Sequence, residues 1–115
     1  MVDSLLALKN NFSFHDANIE TVGLKDSILI IEVELLNEKN KKLQRFEFKF
    51  YNYSNLETQV CLKVDWGNSS GTILKYKIED CFVEFFIEVT NYSTEEIGYD
   101  TISFRYQKLS IIMLE

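Results

Sequence analysis

The chain has 115 residues, of which 46% are hydrophobic and 14% aromatic, and it contains no proline; this composition predicts one folded domain over residues 1–115 and excludes a disordered chain. Its formal net charge of −6 repels phosphate groups, so we expect no nucleic-acid partner. No apolar run approaches the roughly 20 residues of a membrane-spanning helix, and residues 1–9 lack an export signal, so the sequence predicts a cytoplasmic protein without membrane segments.

The first predicted element is a short amino-terminal helix that Asp3 or Ser4 can cap. A helix this short needs packing against a sheet to be stable. Three leucines would supply that contact: Leu5, Leu6 and Leu8. Residues 10–16 are expected to form a loop leading into a strand at residues 18–25, and a tight turn at residues 25–27 follows.

The next two strands show the clearest pattern. Residues 28–36 begin with four aliphatic residues and then alternate with acidic ones, so the strand should start buried and end with one wet face. In residues 46–50 phenylalanine alternates with charged residues, which is the two-residue period of a strand with one dry face. The polar segment 37–42 predicts a hairpin loop between them.

Four further strands are predicted in the second half of the chain. Residues 60–64 and 74–78 alternate apolar with other residues, and residues 81–90 form the strongest alternation. Residues 102–113 form a last strand whose apolar phase changes near Gln107, which a β-bulge would reconcile.

About seven short strands joined by short connections indicate antiparallel neighbours. We therefore predict a mainly β fold, a single-domain antiparallel β-sandwich or open barrel with a short amino-terminal helix.

Cysteine and histidine content argues against a metal centre. Cys61 and Cys81 form no CxxC pair, and the chain has one histidine, whereas a structural zinc site needs four closely spaced ligands. The four glycines form no phosphate-binding motif. We expect reduced thiols and no cofactor or metal.

His15 and Asp16 are the adjacent pair that could assist acid–base chemistry. Because nothing identifies a further partner or a pocket for them, we favour a structural interpretation in which Asp16 accepts backbone N–H bonds in a loop. Trp66 stands beside a predicted hairpin loop and either covers the end of the core, which we favour, or stacks on a ligand. The alternative function is therefore a small-ligand-binding or enzymatic β domain with a cavity near His15, Asp16 and Trp66.

Acidic residues dominate one stretch of the chain. Between Lys77 and Arg105 there is no basic residue but there are seven acidic ones. Such a field attracts cationic partners.

One face of the predicted strand 81–90 combines aromatic and acidic side chains. We call this set the acidic aromatic face: Phe82, Glu84, Phe86 and Glu88. Rings that anchor and carboxylates that steer are typical of a protein-recognition surface. Glu32 and Glu34 would extend it if their strand lies nearby. In the alternative, the rings pack beneath the amino-terminal helix or a long loop and the acids only solvate the edge.

The segment Phe14-His15-Asp16-Ala17, followed by Ile19, a short turn and the strand 28–36, resembles the opening of small bacterial proteins, several of which look like immunity proteins of polymorphic toxin systems. The resemblance covers residues 12–36. It implies a cytosolic protein that neutralises a toxin by occluding it, without catalytic residues, and it gives the Phe-His-Asp-Ala segment a structural role.

These observations favour a protein that is not an enzyme. We expect a protein-binding module, an immunity-type inhibitor that occludes a basic toxin or another cationic partner through the acidic aromatic face. A third interpretation is an assembly module whose exposed strand edges pair into a homodimer.

Overall fold

The computed structural model describes residues 4–114, which form one short helix and eight strands. The elements are α1 (Ser4–Leu8), β1 (Phe12–Lys25), β2 (Ile28–Asn37), β3 (Leu43–Tyr51), β4 (Ser54–Glu57), β5 (Ser69–Glu79), β6 (Phe82–Asn91), β7 (Ile97–Arg105) and β8 (Lys108–Leu114). Within residues 4–114 no helix has the length and apolar character needed to cross a bilayer.

The eight strands form one antiparallel sheet in the order β4-β7-β6-β5-β1-β2-β3-β8, which curls into a half-barrel. Its curvature follows from two short connections. Residues 52–53 join β3 to β4, and residues 106–107 join β7 to β8, yet each pair lies six positions apart in the sheet. A flat sheet would separate them by about 29 Å, whereas such a link reaches only about 10 Å, so the two ends must approach each other.

Aromatic side chains inside the curl connect the two halves of the sheet. The ring centroids of Phe14 on β1 and Phe85 on β6 lie 6.0 Å apart, and those of Phe50 on β3 and Phe104 on β7 lie 4.7 Å apart. Leu5 of α1 is fully buried against this core, and Leu6 and Leu8 pack beside it. The mainly β, antiparallel fold with a short helix is therefore confirmed, with eight strands instead of about seven. Asp3 and the side chain of Ser4, the predicted caps, lie outside the described part of the chain.

The predicted loop at residues 10–16 is wrong, because β1 begins at Phe12. The ladder with β2 shifts register between Ser13 and Asn18, and Asp16 adopts a left-handed backbone conformation with φ 63°. This irregularity breaks the two-residue period, which explains why alternation did not reveal the start of the strand.

The predicted strand at residues 60–64 is also wrong. These residues belong to the connection between β4 and β5, in which Val60 and Leu62 are exposed. Strand β4, which was not predicted, lies in the segment just before them. The alternation of these five residues therefore does not mark a strand. They form turns in which Cys61 is buried while Val60 and Leu62 are exposed.

The last predicted strand, at residues 102–113, is divided into β7 and β8. Its change of apolar phase near Gln107 marks the passage from one end of the sheet to the other instead of a bulge. A bulge does occur in β5, between Ile73 and Lys75, and it brings Ile73 as well as Ile78 into the core.

Candidate functional site

The acidic aromatic face lies on the outer side of β6, opposite the core. Phe82, Glu84, Phe86 and Glu88 alternate with fully or largely buried residues and are themselves half-buried. Neighbouring side chains on β5 and β7 account for the partial cover, because β6 is an interior strand of the sheet. The rings are therefore neither sealed in the core nor fully exposed.

At one end of this face, basic side chains offset the acids. Register places Lys77 of β5 beside Glu84, and the guanidinium carbon of Arg105 lies 5.2 Å from the centroid of the Phe82 ring. Such a contact is a cation–π interaction. The stretch without basic residues in the sequence is thus bordered by cations from adjacent strands, and this end is electrostatically mixed.

The other end of the face remains acidic and aromatic. The Phe86 ring stacks on Tyr99 of β7, with centroids 6.0 Å apart and planes 10° apart. Glu88 is the cross-strand partner of Tyr99, and Glu95 and Glu96 follow in the connection between β6 and β7. Tyr99 and Ile97 are 58% and 59% exposed, so this end offers apolar surface beside negative charge.

A groove of about 470 Å³ adjoins this stacked pair. We call it the β7 groove, and it is lined by Leu56, Glu57, Thr58, Gln59, Phe86, Tyr99, Asp100 and Thr101. Its charged residues, Glu57 and Asp100, are both acidic. A smaller groove of about 260 Å³ lies on the other side of Phe86, where Lys75, Lys77 and Glu84 make the lining mixed in charge.

Asp100 fixes one wall of the β7 groove. Its buried carboxylate accepts hydrogen bonds from the backbone N–H groups of Gln59, Val60, Cys61 and Thr101 and from the Thr58 hydroxyl, at 2.6–3.1 Å. Burial alone would raise the pKa of Asp100, but hydrogen bonds to the ionised form outweigh it and hold the pKa well below its ordinary value. Asp100 is therefore an ionised anchor for the segment that follows β4.

Cys61 lies beneath this segment and is fully buried. Burial, together with the neighbouring Asp100 carboxylate, raises the pKa of its thiol to about 12. The thiol is protonated at neutral pH, and a protonated thiol is a poor nucleophile. Cys81, at the turn between β5 and β6, is half-buried, and neither cysteine is in a disulfide.

Glu32 and Glu34 lie on the outer side of β2, away from the acidic aromatic face. Strands β1 and β5 separate β2 from β6. Glu32 takes part in a local network in which Arg45 Nη2 lies 2.8 Å from Glu20 Oε2 and 3.9 Å from Glu32 Oε2. The structure therefore does not bring these two glutamates together with the β6 residues.

His15, Asp16 and Trp66 have separate surroundings. His15 Nε2 lies 3.5 Å from Asp16 Oδ2, and the two side chains are 66% and 70% exposed. Trp66 donates its indole N–H to the Cys61 carbonyl at 3.0 Å, and a Cβ at Gly71 would lie 3.5 Å from its ring. Trp66 thus packs on β5 and the core, and none of the three lines either groove. Residues 4–114 contain no group of three or more His, Cys, Asp or Glu side chains placed to hold a metal ion.

Sequence reasoning included Phe86 and Glu88 but missed Tyr99 and Asp100. Both fall in residues 91–100, between the predicted strands 81–90 and 102–113. A signal was available for Asp100, because it shares the two-residue phase of the buried Ile102 and Phe104. A charged residue at a core position normally has a dedicated set of hydrogen-bond partners.

Comparison with protein-family models, with curated proteins and with solved structures finds no match to this chain. The features that bear on function are therefore the geometry of the β6 outer face and of the β7 groove.

Proposed function

We propose that the protein is a non-enzymatic binding module that holds a cationic protein partner at the acidic end of the β6 outer face, and that it acts in the cytoplasm as an immunity-type inhibitor occluding a basic toxin. One observation carries the proposal: the stack of half-buried Phe86 on exposed Tyr99 lines a groove whose charged lining residues are all acidic. Aromatic anchors surrounded by charge complementary to the partner are the features of a protein interface.

The two ends of the acidic aromatic face differ in how well they suit a cationic partner. Phe86 and Glu88 belong to the acidic end, beside Tyr99 and the β7 groove. Phe82 and Glu84 adjoin Arg105 and Lys77, so they attract a cation less strongly. We therefore assign the main contact to Phe86, Glu88, Tyr99 and Glu57.

The observed surroundings give less support to the enzymatic alternative. A catalytic acid–base pair usually lies in a pocket that holds the substrate. His15 and Asp16 are instead largely exposed and contact each other, and the Trp66 indole N–H is already bonded to the backbone.

The proposal is tested by the kinetics of binding to the partner, which a pull-down from the native host would supply. Phe86→Ala should weaken binding by about 2 kcal/mol, or roughly thirtyfold, mainly through faster dissociation. Glu88→Lys should slow association and reduce its dependence on ionic strength. The matched control is Glu34→Lys, which makes the same charge change three strands away. Equal effects of the two lysine variants, or no effect of Phe86→Ala, would contradict this surface.

Self-assembly through β8 is a second candidate, because this edge strand carries no charged residue from Leu109 to Leu114. Ile112 and Met113 are 43% and 55% exposed. An uncharged, apolar edge strand is a template for pairing with another copy of the chain.

A further inference from the structure

The edge of β7 is only partly covered by β4. The two strands pair at Ser54 with Arg105 and at Glu57 with Ser103. After Glu57 the chain turns, and residues 59–61 donate their N–H groups to the Asp100 carboxylate. In the described part of the chain, residues 97–101 of β7 therefore have β6 on one side and no strand on the other.

Two hydrogen bonds determine which backbone groups face this open edge. Tyr106 donates its N–H to the Cys81 carbonyl at 3.0 Å, which is directed toward the β6 side. The register between β6 and β7 runs from residue 97 to residue 105 without a shift, so successive residues point alternately to β6 and to the edge. Thr101 is then directed to the edge, and its N–H is indeed bonded to Asp100 Oδ1 at 2.8 Å.

By the same alternation, Tyr99 and Ile97 direct both N–H and C=O to the open edge. No hydrogen bond within residues 4–114 reaches these groups. A residue that presents both groups to one side can form a complete hydrogen-bonded pair with an added antiparallel strand. Five residues of this edge span about 17 Å.

We infer that the partner adds an extended segment as a strand to the β7 edge at residues 97–101, with a basic side chain opposite Tyr99. The inference rests on the proposed function and specifies how the partner binds. Addition of a peptide strand to an exposed sheet edge is a known mode of recognition, in which main-chain bonds give affinity and pockets select side chains.

Cross-strand geometry argues for a basic side chain at this position. Residues directly opposite each other in an antiparallel pair project from the same face of the sheet. The side chain opposite Tyr99 would therefore run across the exposed Tyr99 ring toward Glu88, which lies beyond it on β6. An arginine there makes a cation–π contact with the ring and approaches a carboxylate.

Charge also discriminates among occupants of this edge. Glu57, Glu88, Glu95 and Glu96 surround it, and the β7 groove has no basic lining residue. A second copy of the chain would bring its own net charge of −6 to an acidic surface, which is repulsive. A cationic strand is the complementary occupant.

The test is a titration of the ¹⁵N-labelled protein with the peptide acetyl-TVRVT-amide, followed by amide chemical shifts and hydrogen exchange. The amide protons of Tyr99 and Ile97 should shift downfield and exchange more slowly, because they gain hydrogen bonds. The peptide acetyl-TVEVT-amide should bind at least about tenfold more weakly. An arginine peptide with N-methylated backbone amides should lose binding while keeping its charge.

A matched pair of variants tests the edge itself. Ile97→Pro removes an N–H that faces the edge without removing a bond to β6, and proline is tolerated on such edges; Ile97→Ala shortens the same side chain but keeps the N–H. Proline should reduce peptide binding well below the alanine variant. The peptide titration of the wild-type protein has two contrary outcomes. If the arginine peptide shifts only the signals of Glu88 and of its neighbours on the acidic aromatic face, the peptide binds as a cation but does not add a strand, and the inference is wrong. If it shifts no signals at millimolar concentration, the inference is overturned, and the proposed function is then decided separately by partner binding.

Discussion

Asp100 shows how one buried residue can shape the β7 groove that it lines. Its carboxylate bonds the segment after β4 and the N–H of Thr101. These hydrogen bonds hold residues 58–61 in a turn after β4. The ion is stable in a buried position because each of its oxygens accepts several hydrogen bonds.

We therefore predict that Asp100→Asn destabilises the protein by about 2 to 3 kcal/mol at neutral pH, because an amide cannot accept from all the donors and leaves buried N–H groups unpaired. Urea unfolding measures this loss. Glu38→Gln, in an exposed turn, is the matched neutralisation and should change stability by less than about 0.5 kcal/mol.

The pH dependence of the same variant follows from the sign of the pKa shift. The pKa of Asp100 is lowered on folding, so its contribution to stability is present above the unfolded value of about 3.9 and is lost as pH falls through the folded value. The difference between wild type and Asp100→Asn should therefore narrow below about pH 4. A difference that stays constant from pH 7 to pH 3 would show that the carboxylate is not the stabilising group.

Individual residues also show what the sequence could and could not predict about the site. Phe86 and Glu88 were identified because alternation assigns them to the outer face of β6. The basic neighbours Lys77 and Arg105 could not be placed there, since they come from other strands and their positions depend on register. Glu32 and Glu34 were grouped with this face for the same reason, because the sequence does not reveal that two strands separate β2 from β6.

At the scale of elements, alternation identified β2 and β6 to within one residue at each end, but only residues 46–50 of β3. Each of these strands has one dry face over nine or ten residues. Alternation failed for residues 60–64, where the pattern is short and the backbone is held by Asp100. It also failed for β4, whose four residues pair only through Ser54 and Glu57. Long alternating segments are thus informative, whereas short ones depend on tertiary contacts.

The helix α1 provides an element-scale prediction. Five residues form too short a helix to be stable alone, so its position depends on Leu5, which is fully buried. Leu5→Ala should lower the free energy of unfolding by about 3 kcal/mol. Leu43→Ala, at an exposed position of β3, should cost less than about 0.5 kcal/mol. Similar denaturation midpoints for the two variants would show that α1 does not contribute to the core.

For the whole molecule, the faces of the strands were predictable but their order was not. The β3–β4 and β7–β8 connections each carry the chain between opposite ends of the sheet through two residues. A connection of two residues can join these strands only when the sheet is curled. The curl arises from packing between the two halves of the sheet, as in the contact between the rings of Phe50 and Phe104. Local sequence contains no record of that contact, which explains why a sandwich and an open barrel were both compatible with the pattern.

The two edges of this curled sheet differ in chemistry, and the β8 edge yields a prediction for the assembly. Because residues 109–114 are uncharged, two copies can pair along β8 without like-charge repulsion within the strand. We predict a monomer–dimer equilibrium in sedimentation velocity that Ile112→Lys shifts by at least about tenfold toward monomer, since a lysine on an edge strand opposes pairing with another copy. Leu24→Lys introduces the same charge at an exposed position of β1, separated from β8 by two strands, and should leave the equilibrium unchanged. A wild-type protein that stays monomeric at high concentration, or a dimer insensitive to Ile112→Lys, would rule out assembly through β8.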